Sequence, residues 1–166
     1  MKKSFTLVEL LVVIFILSTL SLVTFAYYRR GGKTFSLLRS AHSVASQIRR
    51  AQGMTMAMEK AKEDYPKGYG VYLKKNQKKI IIFGDKDGDK KYKKTRDIKI
   101  EEFELESQIK ISSLFPSSPL HIVFFPPHPE TTINANENNL EAKIILTNGS
   151  ETKTIKINKA GLICIE

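Results

Sequence analysis

Cysteine is nearly absent from this chain of 166 residues, since Cys164 is the single one. An internal disulfide is therefore excluded, and the fold does not depend on an oxidising compartment. Proline is also sparse, with six residues, while 27% of the residues are charged, a balance that argues against a disordered chain. Without its first 30 residues the chain retains 136, enough for one small domain with its own core.

The histidines form no recognisable catalytic or metal-binding constellation. His42 has no second ligand one helical turn along, and His121 and His128 flank Pro126-Pro127 without a carboxylate or cysteine cluster at a recognised spacing. We interpret all three histidines as structural or solvent-facing, with a catalytic pair of His121 and His128 as the alternative. No nucleophile is paired with a base in the sequence, so we predict a non-enzymatic protein. A hydrolase held by a membrane anchor is retained as a third alternative.

Basic residues are concentrated in one part of the chain. Residues 29–94 contain 18 basic and 6 acidic side chains, a net charge of +12, whereas residues 95–166 contain 7 and 10, a net of −3. Such a bias is compatible with nucleic acid or anionic lipid as a partner. Lysines dispersed over a solvated surface would produce the same net positive charge without any such partner.

The most conspicuous segment is an apolar run over residues 5–26, in which Glu9 is the only charge. As a helix these residues span roughly 33 Å, enough to cross the hydrocarbon core of a membrane. A cleaved secretory signal would need a small-residue site at its far end, but Ala26-Tyr27-Tyr28-Arg29 does not supply one. A plain membrane anchor would explain the length but not the carboxylate, which is costly in lipid.

The first residues read Lys2-Lys3-Ser4-Phe5-Thr6-Leu7-Val8-Glu9-Leu10. This stretch resembles the class III signal of type IV pilins and type II secretion pseudopilins. The resemblance implies that a prepilin peptidase cuts between Ser4 and Phe5 on the cytoplasmic side and N-methylates Phe5. Glu9 then becomes the fifth residue of the mature chain, where the family has its glutamate. Ser4 departs from the family's usual glycine but keeps its small size.

A cut before Phe5 gives a physical reason for Glu9. The cut creates an amine at the end of an apolar helix, and a buried amine and a buried carboxylate each need a partner. In a bundle of such helices, Glu9 of one subunit can neutralise the Phe5 amine of its neighbour. The alternative is a monomeric anchor in which Glu9 reaches the membrane interface.

The resemblance also implies a location and a set of partners. The protein would be a single-pass inner-membrane protein with its C-terminal domain outside the cytoplasm. It would be stored in membrane lipid and then enter a short pseudopilus or pilus, as a minor subunit near the tip, to support protein secretion. Its partners would be other pilins or pseudopilins, the prepilin peptidase and the inner-membrane assembly platform.

A second helical pattern follows the apolar run. Gly31-Gly32 should loosen the helix, because each glycine is costly there, and Thr34 is a predicted N-cap. A stripe of mostly small apolar side chains then recurs at spacings of three and four: Leu37, Ala41, Val44, Ile48, Ala51, Thr55, Met58 and Ala61. This face is predicted to pack on a sheet, and Pro66 limits the helix.

From Gly68 onward the period of the apolar residues changes to two. The predicted strands cover residues 69–74, 78–83, parts of 97–112, 120–125, 140–147, 152–158 and 162–165, with turns at Asn76-Gln77, Asn148-Gly149 and Ala160-Gly161. The pattern predicts an α+β fold, in which a long N-terminal helix with a transmembrane first half packs on an antiparallel β-rich head of two small sheets.

This arrangement resembles the GspH/FimT class of minor pseudopilins, whose N-terminal helix packs on a β-rich head. Ile122-Val123-Phe124-Phe125-Pro126 and residues 155–163 are similar to the late strands of that family. The characteristic calcium-binding C-terminal loop of the major pseudopilin is not found. The predicted organisation is a prepilin leader (1–4), a transmembrane and assembly helix (5–26), its amphipathic continuation (27–66) and a globular pseudopilin head (67–166).

Three aspartates form one candidate cation site. Asp85, Asp87 and Asp89 are spaced at i, i+2 and i+4, as in loops that bind hard cations. Lys90 stands where an EF-hand needs glycine, and Arg96 stands where it needs its bidentate glutamate. We therefore favour a solvated hairpin turn, with calcium as the alternative and no other cofactor.

Lysines form the second candidate site. They cluster around two predicted turns: Lys74, Lys75, Lys78, Lys79, Lys90, Lys91, Lys93 and Lys94. If these side chains converge, they can contact DNA phosphates without reading sequence. Some FimT-like minor pilins bind DNA for uptake through a C-terminal Gly-Arg-x-Arg element, but this chain reads Gly161-Leu162-Ile163-Cys164 there. DNA binding is therefore the alternative function, and dispersed lysines are the simpler interpretation.

Overall fold

The computed structural model describes residues 6–61, 64–127, 130–136 and 138–166, and only the backbone of residues 26–31 and 130. The Ser4–Phe5 bond and His128 lie outside these residues. The chain divides into two compact units, residues 1–35 and 36–166. The second unit contains both β-sheets and its own hydrophobic core.

The helix, α1, spans Leu7–Met56, and its 50 residues include both glycines at positions 31 and 32. The predicted N-cap at Thr34 is therefore wrong, and the two glycines, which we expected to loosen the helix, lie within it. A glycine costs a helix only about 1 kcal/mol, and extending a helix that is already nucleated on either side is cheap. The apolar residues around this point thus belong to one helix.

The C-terminal end of α1 is set by backbone hydrogen bonds, well before Pro66. The amide of Glu59 donates to the carbonyl of Met54 at 3.1 Å, and the amide of Met58 donates to the carbonyl of Thr55 at 3.2 Å. Met58 has a φ of 46°. This pairing is a Schellman motif, in which a left-handed residue ends the helix. The predicted continuation over residues 27–66 is accordingly helical only as far as Met56.

Nine strands follow in the described residues, and every pairing between them is antiparallel. Their bounds are β1 Gly68–Leu73, β2 Lys79–Asp85, β3 Ile98–Glu104, β4 Lys110–Phe115, β5 Leu120–Phe125, β6 Glu130–Ile133, β7 Glu141–Thr147, β8 Thr152–Asn158 and β9 Ile163–Ile165. One sheet has the order β3-β2-β1-β5-β6, and the other has the order β4-β7-β8-β9. The predicted α+β fold with two antiparallel sheets is confirmed.

The sequence pattern failed at two points in the strand assignment. Residues 97–112 cover all of β3 and the first three residues of β4, and these two strands belong to different sheets. The strand β6 was not predicted, because its four residues, Glu-Thr-Thr-Ile, carry a single apolar side chain. It forms because β5 offers it a free edge, and Thr131 and Thr132 are both buried there.

Both sheets share one core with the helix. The predicted stripe is buried at its first six positions, which are Leu37, Ala41, Val44, Ile48, Ala51 and Thr55. Arg49 of α1 donates to the carbonyl of Ile163 in the second sheet, and Arg50 pairs with Glu101 in the first. Met58 was predicted to continue the stripe, but it is 63% exposed because the helix ends before it.

The first sheet also has a covered outer face. Residues 86–97, which we call the strap, connect β2 to β3 and carry Tyr92. The Tyr92 ring lies 5.2 Å from that of Tyr72 in β1 and 5.1 Å from that of Phe83 in β2, between ring centroids. Phe83 is completely buried, although it lies outside the main core cluster. The strap therefore shields apolar side chains on the face of the sheet opposite the helix.

Candidate functional site

The N-terminal end of α1 is closed by its own side chains. Glu9 accepts hydrogen bonds at Oε2 from the backbone amide of Thr6 at 2.9 Å and from the Thr6 hydroxyl at 2.8 Å. The amide of Glu9 donates to the Thr6 hydroxyl oxygen at 3.3 Å. This reciprocal pattern is a capping box, which satisfies amide donors that a helix start leaves unpaired. The spacing Thr-x-x-Glu before an apolar run is its signal in the sequence, and this signal was missed in the predictions above.

Both acceptor contacts of Glu9 are made by one oxygen. Oε2 accepts the two bonds from Thr6, and Oε1 has no hydrogen bond within the described part of the chain. Glu9 is itself exposed. The capped carboxylate therefore keeps an oxygen to offer to a donor outside its own helix.

The stretch that follows Glu9 is apolar on every side. Residues Leu7–Phe25 have a mean hydropathy of 2.5, none of them is buried, and the stretch is long enough to cross a membrane. Three of its four hydroxyl groups bond its own backbone: Thr19, Ser21 and Thr24 donate to the carbonyls of Ile16, Leu17 and Leu20. A helix whose polar groups are satisfied in this way suits lipid or contact with other apolar helices.

Comparison with known protein families adds one finding. The family model described as the prokaryotic N-terminal methylation motif matches residues 1–25. No curated protein matches the chain, and no solved structure does. The motif identifies a prepilin-like signal and supports a type IV pilin or pseudopilin that is processed by prepilin peptidase and assembles with other pilins. With the apolar helix, it fits a membrane-anchored pilin subunit.

The strap brings the three predicted aspartates together. Ligand atoms of Asp85, Asp87 and Asp89 all lie within 4.8 Å of one another. Asp87 lies 3.5 Å from Arg96, and Asp89 pairs with Lys93, so basic side chains of the strap already neutralise both. The three carboxylates thus lie as close together as the ligands of a cation site. Asp87 and Asp89, however, are already paired with basic side chains, as in a turn without a bound ion.

Asp85 is not the solvated turn residue that we predicted, because it is completely buried. Its two oxygens accept the amides of Gly88 at 2.7 Å and Lys90 at 2.9 Å. Asp97 does the same at the other end of the strap, where it accepts the amides of Lys93 at 2.6 Å and Lys86 at 3.3 Å. Burial raises the pKa of both carboxyls, and these hydrogen bonds offset part of the rise.

The eight lysines fall into two groups. Lys74, Lys75, Lys78 and Lys79 lie at the turn between β1 and β2, whereas Lys90, Lys91, Lys93 and Lys94 lie in the strap. Lys79 pairs with Glu102 and Lys93 with Asp89. The lysines thus form two groups of four, with two members already paired to carboxylates.

His121 has a structural environment within β5. Its amide donates to the side-chain oxygen of Asn134 at 2.7 Å, and its Nδ1 accepts the amide of Tyr92 at 2.9 Å. Burial, and secondarily the charge of Lys91, lowers the pKa of the imidazole to about 4. His42 is exposed.

Proposed function

We propose that this protein is a minor pseudopilin of the GspH/FimT kind, a structural subunit of a secretion pseudopilus or type IV pilus rather than an enzyme. The observation that carries the proposal is the pairing of a prepilin-type signal with a capped, exposed Glu9 at the start of an apolar helix. The β-rich head on that helix is the architecture expected for such a subunit. In this proposal the head lies outside the cytoplasm and the helix is held in the inner membrane before assembly.

The geometry at Glu9 supports a specific assembly step. Cleavage before Phe5 leaves the Phe5–Thr6 peptide bond intact, so the Thr6 amide remains available to Glu9. The capping box can therefore persist in the mature chain, while Oε1 accepts the Phe5 ammonium of a neighbouring subunit. A charge-assisted bond of this kind is stronger than one between neutral groups, particularly where water is excluded. The pair lowers the cost of leaving lipid and entering a bundle of helices.

The test separates the charge of Glu9 from its capping role. Glu9→Gln keeps a side-chain oxygen for the Thr6 amide but removes the charge, whereas Glu9→Ala removes both. We expect both variants to insert in the membrane and fold, and both to be lost from sheared filaments of cells that carry the assembly machinery. Ser21→Ala is the control, because it changes an exposed hydroxyl of the same helix that bonds only its own backbone.

Normal incorporation of Glu9→Gln would refute the charge pair. The signal itself is tested separately by the mass of the N-terminus in membrane-extracted protein. We expect a chain that begins at N-methylated Phe5, and Ser4→Gly should be processed at least as fast as the natural chain. An intact Met1 would instead indicate an ordinary membrane-anchored domain.

A further inference from the structure

The strap is fastened at its ends and at its middle by different groups. Asp85 and Asp97 hold its ends through the backbone amides described above. The middle is held from another strand, because the amide of Tyr92 donates to Nδ1 of His121 in β5 at 2.9 Å. The ring of His121 also lies against that of Tyr72, with 5.1 Å between centroids. Tyr92 is therefore held over the sheet by two contacts: its amide bonds His121, and its ring packs on Tyr72 and Phe83.

The hydrogen bond defines the protonation state of His121. An imidazole nitrogen that accepts a hydrogen bond carries no proton, so the ring is neutral and its proton is on Nε2. His121 is only 8% exposed. A proton on Nδ1 would point at the N–H group of Tyr92. Two donors would then face each other, and the hydrogen bond would be lost.

We propose that the Tyr92–His121 hydrogen bond is an acid-sensitive latch, in which protonation of His121 at Nδ1 releases the middle of the strap from the outer face of the first sheet. Release uncovers the rings of Tyr72 and Phe83, which Tyr92 contacts. While Asp85 and Asp97 are ionised, they keep the ends of the strap in place and the opening is local. The pKa of both carboxyls is raised by burial, so a variant without His121 is needed to separate their titration from that of the histidine.

The charged groups around the imidazole set the direction of the effect. From the strap, Lys91 disfavours the protonated ring and Asp89 favours it. The strand β1 contributes the phenol of Tyr72, and the turn after β6 contributes the neutral Asn134. Burial adds to the effect of Lys91, so the closed strap holds the pKa near 4, below the ordinary value of 6.5. His121 therefore binds a proton more tightly when the strap is open than when it is closed. The closed-to-open ratio should fall as the pH drops from about 6.5 to about 4, by up to roughly two orders of magnitude.

The experiment is amide hydrogen exchange of the full-length protein in detergent micelles, followed by NMR between about pH 7 and pH 3.5 and corrected for the intrinsic pH dependence of exchange. Protection of the Tyr92 amide should fall at least about tenfold below pH 6.5 and should level off at the midpoint of the His121 ring titration. The amides of Val71 and Ile82, in core strands, should keep their protection and so exclude global unfolding. His121→Gln supplies a non-titrating acceptor, so its Tyr92 protection should change much less over this range than that of the natural protein.

A second variant keeps the native histidine. Lys91 is exposed, and Lys91→Gln removes a charge that lowers the pKa of His121, so the midpoint should move to higher pH. The latch is wrong if His121 titrates while Tyr92 stays protected, or if Tyr92 loses protection equally in His121→Gln. An unchanged midpoint in Lys91→Gln would also overturn it. Should His121→Gln not fold, the natural protein and Lys91→Gln decide the matter, because in each of them the protection of Tyr92 should level off at the midpoint of the His121 ring titration.

Discussion

The hydroxyl of Thr55 joins the last turn of α1 to the sheet, because it accepts the backbone amide of Tyr69 in β1 at 3.3 Å. The same hydroxyl donates to the carbonyl of Ala51, one turn back along the helix, at 3.0 Å. Thr55 is 1% exposed. The apolar stripe that fills the core thus includes one polar contact at its C-terminal end, where helix and sheet must be held in register.

We expect Thr55→Val to lower the free energy of unfolding by about 1–2 kcal/mol, since the shape is kept while a buried acceptor is lost. Thr55→Ser keeps the hydroxyl and removes one methyl group, so its cost should be smaller. Urea denaturation of a fragment from Thr34 onward, followed by circular dichroism, measures both changes. A larger loss for serine than for valine would contradict the hydrogen bond's role.

Met58→Gly should stabilise the protein by about 1 kcal/mol, because glycine adopts the left-handed conformation of the helix end without a steric cost. Met58 has a φ of 46°, and its side chain is 63% exposed, so little packing is lost. Met58→Ala is the matched control, since alanine removes the side chain but keeps the Cβ that makes this conformation costly. Thermal unfolding should show a gain for glycine only.

Two glycines should respond to alanine in opposite directions. A Cβ on Gly70 would lie 2.6 Å from the carbonyl oxygen of Ile122 and 2.9 Å from the ring of Phe83. Gly70→Ala should therefore lower the free energy of unfolding by about 2–3 kcal/mol or more. Gly53 lies in α1 with nothing within 4 Å of such a Cβ, so Gly53→Ala should raise it by about 0.5–1 kcal/mol. Equal effects in denaturant unfolding would refute the close approach at Gly70.

Glu102 should titrate far below an ordinary glutamate. Hydrogen bonds from Lys79 and then Lys99 lower the pKa of its carboxyl to about 2, from 4.5. The charged form is favoured in the folded state, so this contribution to stability is complete above about pH 4.5 and is lost as the pH falls towards 2. A carboxyl ¹³C titration by NMR measures the pKa directly, and Lys79→Gln should raise it. An ordinary value in the natural protein would show that these exposed pairs are not maintained in solution.

The spacing of apolar residues predicted helices and strands correctly where one face of the element is buried against the core. Spacings of three and four identified the buried stripe from Leu37 to Thr55, and the two-residue period identified β5 and β8 with their observed bounds. These patterns succeed because helices and strands repeat side-chain directions at fixed intervals. The Thr6–Glu9 cap was equally readable, since it involves residues only three apart.

Contacts between distant residues decided the rest. The sequence by itself determined that an apolar helix with an early carboxylate precedes a β-rich domain, because composition and period are local properties. Only the tertiary structure decided that Asp85 is buried and that Tyr92 covers the sheet, with its amide bonded to His121. The strand order and the path of the strap determine which of these residues lie close together. Neither can be read from the spacing of residues in the sequence, because pairing between strands depends on the whole chain.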